Sequence, residues 1–159
     1  MFKPGDTIQH HQHGIGTIKS IRERRLGGPA PASYVEIYFP RSELTLSMLE
    51  GELPSVARSI ISARQARKLL SELNHWQGEV KAQWKARANA HQAAIERGDP
   101  FEYAKVFKGL SRLEANGTLR AQDRAHLNQT QELLTEELAW SLGKTPEQAR
   151  DLLARASAS

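Results

Sequence analysis

The chain changes its hydrophobic period at Pro54, and this restricts it to two kinds of structure placed in series. Before Pro54 the apolar residues alternate. Tyr34-Val-Glu-Ile-Tyr-Phe39 sends Val35, Ile37 and Phe39 to one side and Tyr34, Glu36 and Tyr38 to the other, the pattern of a half-buried strand. Leu44, Leu46 and Met48 alternate in the same way. Ile8 and the 15–21 segment, with Ile15, Ile18 and Ile21, are also strand-like, and the second is irregular enough to contain a bulge. Turn residues cluster at Pro4-Gly5-Asp6, His13-Gly14, Gly27-Gly28-Pro29 and Pro40-Arg-Ser. Four or five short strands in roughly fifty residues predict a small antiparallel barrel.

After Pro54 the period becomes helical. Ser62-Ala-Arg-Gln65 is a capping box, followed by Ala66, Leu69, Leu70 and Leu73 as a buried stripe. A second helix is expected to start near Val80 and stop at Gly98. Asp99-Pro-Phe-Glu102 caps a third, which buries Tyr103, Val106, Phe107 and Leu110 and ends at Asn116-Gly117. A long helix from about Ala121 to Leu142 carries Leu127, Leu134, Leu138 and Ser141 on one face. Thr145-Pro-Glu-Gln148 caps a last helix with Ala149, Leu152 and Leu153, and the terminal ARASAS is expected to fray. The predicted fold class is therefore α+β in two domains: a barrel over 1–53, a linker over 54–61, a helical bundle over 62–156 and a frayed tail over 157–159.

Charge distinguishes the halves further. The net charge is +4, but residues 58–97 hold eight Lys/Arg against three acids, whereas the flanking segments are nearly balanced. Such a basic block is the footprint expected of a nucleic-acid contact, or of a solvated helix face. There is no apolar run long enough for a membrane span. MFKPGDTIQ lacks the apolar core of a signal peptide, and the absence of cysteine fits a reducing compartment. A cytoplasmic location is expected.

Two clusters invite a chemical reading. HHQHGIG places His10, His11 and His13 together. In a strand His11 and His13 would share a face about 6.6 Å apart, but zinc needs three or four ligands, and Asp6 is the only carboxylate nearby. A polar strand end entering a glycine turn is the better reading, with no metal. The second cluster is Lys81-Ala-Gln-Trp84-Lys-Ala-Arg87, an aromatic among cations near a helix start. Lysine and arginine neutralise phosphates, and an indole can stack on a base or wedge between base steps. Yet Trp84, Ala88, His91 and Ile95 also follow helical spacing, so Trp84 could be the first core residue of its helix. Trp76 and Trp140 read more firmly as core. No nucleophile elbow, P-loop, dinucleotide fingerprint or cysteine nucleophile is present, so no enzyme and no cofactor are expected.

The order of motifs carries a resemblance. F-K-P-G-D-T, H-G-x-G-x-I, the strands, V-A-R, Q-W-K-x-R and G-D-P before a bundle together resemble the bacterial CarD/CdnL family of transcription regulators, over nearly the whole chain. The resemblance implies a Tudor-like (SH3-like) N-terminal barrel that docks on the β subunit of bacterial RNA polymerase. It also implies a helical domain that contacts promoter DNA at the upstream edge of the melted region, in the minor groove and with low sequence specificity. Family members have no enzymatic activity, and nothing demands more than a monomer. Carried over by position, Trp84 matches the tryptophan that wedges into the minor groove and Arg87 a basic residue of the following turn, with Lys85 a further charge. Arg24, with Arg25 beside it, falls where the family has a basic polymerase-contacting residue. The chain departs from the family at Ser47, where an arginine is frequent, at Met48-Leu49-Glu50, and at Asn89, where a second basic residue is common. The alternative is a polymerase- or protein-binding adaptor whose helical half binds no DNA, in which case Trp84 is core.

Overall fold

A computed structural model describes residues 2–25, 30–77, 79–117 and 119–158. These divide into two compact units, Met1–Ile60 and Ile61–Ser159. The first is an antiparallel sheet and the second a set of helices, so the α+β class holds.

The sheet contains β1 (Thr7–His10), β2 (Gly14–Arg24), β3 (Ala32–Phe39), β4 (Leu44–Leu49) and β5 (Ala57–Ser59), in the spatial order β4-β3-β2-β1-β5. All five strands contribute to one core of Ile8, Ile18, Val35, Ile37, Phe39 and Ala57 with Leu44, Leu46 and Met48 against it, as a curled sheet requires. The bulge expected in β2 lies between Ile18 and Ser20, which shifts the pairing with β3. Ile18 and Ile21 are three residues apart and would otherwise face opposite sides. The extra residue turns both toward the core, opposite Ile37 and Val35. The Gly27-Gly28-Pro29 turn lies outside the described residues.

The segment expected as a linker over 54–61 is structured. A 3-10 turn (Glu50–Glu52) leads into the short helix α1 (Leu53–Val56), whose Leu53 is fully buried in the sheet core. Ala57–Ser59 then pairs with β1. Three residues are too few for a strand to be read from alternation, and pairing rather than local pattern places this segment in the first unit.

The histidine cluster is a turn. The buried His10 Nδ1 accepts the backbone N–H groups of Gln12 and His13 at 3.1 and 3.2 Å, which places its ring proton on Nε2. Burial, with the neighbouring His13 and His11, lowers the His10 pKa to about 4 and keeps the ring neutral. No group of three or more metal-capable side chains occurs among the described residues. Gly14 closes the turn at a φ of 81°, a region that favours glycine. Gly16 has a different reason: a β-carbon there would sit 2.6 Å from the Phe39 ring and 2.8 Å from Ile37.

The second unit contains α2 (Ala63–His75), α3 (Trp84–Arg97), α4 (Pro100–Asn116), α5 (Ala121–Leu142) and α6 (Pro146–Ser157). The capping box expected at Ser62 is present, and the cap expected at Thr145 is a capping box as well. The start expected near Val80 moves to Trp84, where the Gln83 side chain accepts the Ala86 N–H at 2.7 Å. Val80 instead occupies the space that a side chain at Gly109 of α4 would fill. The terminal segment does not fray through Ser157: Ala156 and Ser157 are buried, and Ser157 Oγ donates to Leu153 O at 2.8 Å.

Two tryptophan expectations fail. Trp140 is 53% exposed. It stands only about 20° around α5 from the buried Leu133 at 100° per residue, but in the last turn of the helix, where that flank is left uncovered. Trp76 ends α2 half-buried, with Lys105 Nζ 6.0 Å from its ring centre.

Replacing Gly16 with alanine should destabilise the protein by about 1–3 kcal/mol in denaturant titration, because Phe39 must leave its packed position. The same change at Gly51, which has open space around it, should cost much less.

Candidate nucleic-acid interface

The site is built where α3 and α5 begin. Residues 79–83 have no regular structure and deliver the chain to Trp84, the first residue of α3. Ala88, His91 and Ile95 continue the helical spacing from Trp84 and are buried. Trp84 itself is 37% exposed. The stripe read from the sequence is therefore real, but its first member extends beyond the core.

Cations surround the exposed indole. Lys85 Nζ lies 5.5 Å from the ring centre, and Lys81 is exposed three residues before the ring. Arg120, immediately before α5, places its guanidinium carbon 4.8 Å from the same centre, within cation–π range. There is no acidic residue in the first turn of α3. The free N–H groups of a helix start add a partial positive charge. Phosphate neutralisation and ring stacking are thus available within one small surface. Arg120 was not singled out by the sequence, since 36 residues separate it from Trp84 and only the packing of α3 on α5 unites them.

Arg87 does not join that surface. It is 5% exposed. Its Nε donates to Asp123 Oδ1 at 2.9 Å and its Nη2 to Asp123 Oδ2 at 2.6 Å. Its Nη1 donates to the carbonyls of Lys81 and Ala82, both at 3.2 Å. Asp123 Oδ2 also accepts the Arg120 N–H at 3.2 Å. The hydrogen bonds from Arg87 hold the Asp123 carboxyl below the usual range, and Asp123 raises the Arg87 pKa.

Next to this pair lie His91 and His126, both buried, with ring centres 6.3 Å apart. His126 Nε2 meets Gln92 Oε1 at 2.9 Å, while neither Nδ1 has a partner. Burial lowers the His91 pKa to about 4, aided by His126 and Arg87 against Asp123. Burial likewise lowers that of His126, against Asp123.

The residues expected to contact polymerase belong to the sheet. Arg24 is the last residue of β2, opposite Ala32, and is exposed; Arg25 follows it, also exposed. Arg22 occupies the same face of β2 as Arg24, opposite Tyr34. It was legible from the two-residue period and was not singled out. Of the departures, Ser47 is exposed opposite Glu36 on β3, Met48 packs against the sheet core, and Asn89 is exposed on α3. No helix among the described residues is long and apolar enough to cross a membrane.

Comparison with known proteins is consistent with this architecture. The family profile described as "CarD, C-terminal domain" matches residues 68–154. YdeB of Bacillus subtilis (strain 168), named as a transcription factor, is 26% identical over 151 residues, covering 94% of this chain and 98% of its own.

Two outcomes are expected. Trp84→Ala should cost less than about 1.5 kcal/mol in thermal or chemical unfolding, whereas Leu110→Ala, at a fully buried position, should cost about 2–5 kcal/mol. The second concerns pH. The folded pKa of His91 lies below its ordinary value of 6.5, so between the two values the unfolded chain binds more protons. Its contribution is complete above about 6.5 and is lost as pH falls toward 4. His91→Gln should flatten the stability profile across that window.

Proposed function

Because the chain belongs to the CarD family of transcription factors, we propose that it docks on the β subunit of bacterial RNA polymerase through its sheet and stabilises the open promoter complex through its helices. Arg24 and Arg25 supply charge to the polymerase contact. Trp84 wedges into the minor groove at the upstream edge of the melted DNA, with Lys85 beside it on phosphate. The protein acts as a monomer, in the cytoplasm, and reaches the nucleoid through polymerase. The observation that carries this reading is the exposed Trp84 ring among Lys81, Lys85 and Arg120. A core tryptophan, which the adaptor reading needs, would be covered.

The mechanism is differential binding with no covalent step. Docking on polymerase makes the DNA contact effectively intramolecular, so a weak intrinsic DNA affinity suffices. Favouring the open state by about 1.4 kcal/mol shifts its equilibrium roughly tenfold. Minor-groove and phosphate contacts carry little base information, so sequence preference is low.

With matched bacterial RNA polymerase the protein should lengthen the lifetime of open promoter complexes, and Trp84→Ala should remove the effect. Arg24→Glu should abolish capture of the β subunit. An unchanged lifetime with capture intact would leave the adaptor reading; undiminished capture by Arg24→Glu would move the polymerase contact elsewhere.

A further inference from the structure

The sequence suggests Arg87 as a DNA contact, but its guanidinium is spent inside the protein. The fork has two ends. One grips both oxygens of Asp123 at 2.9 and 2.6 Å, and the other holds the carbonyls of Lys81 and Ala82. Those carbonyls belong to the irregular segment that leads into Trp84. Asp123 in turn fixes the backbone N–H of Arg120. A single buried ion pair therefore anchors the two backbone segments whose side chains, Trp84 and Arg120, meet on the surface at 4.8 Å.

We infer that Arg87 and Asp123 are positioning residues for the Trp84 contact, which set the ring and the Arg120 guanidinium in one arrangement and do not themselves touch DNA. The inference rests on the DNA-contact reading for its purpose, but its geometry is independent of it. Losing the fork removes both of these hydrogen bonds, and with them the tie from Asp123 through Arg87 to the approach to α3. Helix α3 alone cannot set the ring, because Trp84 is its first residue and its neighbours on the N-terminal side are not helical. A planar, always-charged fork suits two acceptors on one side and two on the other; lysine, with a single nitrogen, cannot span them.

The two roles for Arg87 predict opposite signs. If Arg87 contacted phosphate, Asp123→Asn would release a cation, remove a nearby carboxylate and tighten DNA binding. If it positions, Asp123→Asn weakens binding, by about fivefold for a coupling of this kind. Arg87→Lys separates the roles again, since it keeps the charge for phosphate and loses the fork. The full chain is titrated against a fluorescein-labelled duplex ending in an unpaired fork, with anisotropy as readout and thermal unfolding as the check on folding. Both variants should bind more weakly, and adding Asp123→Asn to Trp84→Ala should cost nothing further. Tighter binding by Asp123→Asn, wild-type affinity in Arg87→Lys, or a full additive loss in the Trp84→Ala background would each overturn the inference. Should Asp123→Asn not fold, Arg87→Lys carries the same test.

A DNA-free readout keeps the two readings distinguishable. The indole N–H resonance of Trp84, identified by its loss in Trp84→Phe, should shift in Arg87→Lys in the absence of DNA. An unmoved resonance overturns positioning. A wild-type protein that does not bind the fork, or a Trp84→Ala variant that binds it equally well, overturns the DNA-contact reading instead.

Discussion

The ion pair of Arg87 with Asp123 ties the first turn of α3 to the first turn of α5. At 5% and 1% exposure, the two charges have left water, and the energetic gain from such a pair over well-packed apolar residues is close to zero or negative. Removing one partner is another matter, because it leaves a buried charge alone at a cost of about 3–5 kcal/mol. What the pair contributes is direction. An apolar cluster would pull α3 and α5 together with little preference for how their first turns meet. Four hydrogen bonds from one planar group, and a further one into its partner carboxylate, define that meeting.

The same use of polar side chains recurs at other places where the backbone has no helical or strand partner. Lys108, fully buried on α4, donates to Leu73 O at 2.6 Å and Asn74 O at 3.4 Å, satisfying carbonyls at the C-terminal end of α2. Burial pushes this ammonium down from its ordinary value, with Arg112 adding to the effect, while the α2 carbonyls favour the charge. Glu137 accepts the Ile61 N–H at 2.9 Å and Ser141 donates to Ile61 O at 2.7 Å, so α5 holds both backbone groups of the residue that opens the helical unit. In the sheet, His10 does this for the 11–13 turn. Each case pairs a buried polar side chain with backbone groups that would otherwise stand unsatisfied at a measurable cost.

These interactions also explain what was legible in the sequence. Periodicity located the long strands and helices, because Val35, Ile37 and Phe39, or Leu69 and Leu73, must face a core whatever lies opposite. Caps were legible because Ser62, Asp99 and Thr145 act within four residues. The bulge in β2 was legible because Ile18 and Ile21 cannot share a face without one. Ala57–Ser59 was missed because a three-residue strand is defined by its partner. Trp140 was misread because an angle close to that of the buried Leu133 does not show that the core reaches the last turn of α5. Arg87 could not be distinguished from Lys85 by composition. Two residues along α3 separate a solvated cation from a buried one, and the distinction comes from Asp123, 36 residues away. The basic block over 58–97 was therefore a fair guide to the surface but counted one charge that the interior uses.

A wedge contact places a particular demand on its mount. An indole that unstacks or kinks DNA must resist the restoring force of the duplex, and an indole free to rotate away would yield to it. Trp84 occupies the first position of its helix, where helices ordinarily fray, so the helix does not supply that resistance. Its ring is braced instead by Arg120 on one side, while the Arg87 fork fixes the backbone behind it. Pre-organisation of this kind lowers the ordering cost at binding rather than adding contact energy. This is the economical route for a surface with few cations. In the proposed DNA contact, Asn89 and the buried Arg87 leave Lys81, Lys85 and Arg120 to meet phosphate, too few for tight binding by charge alone. A weak electrostatic hand with a rigid aromatic finger suits a protein brought to DNA by another partner, since the partner supplies concentration and the finger needs only to distinguish melted from closed DNA.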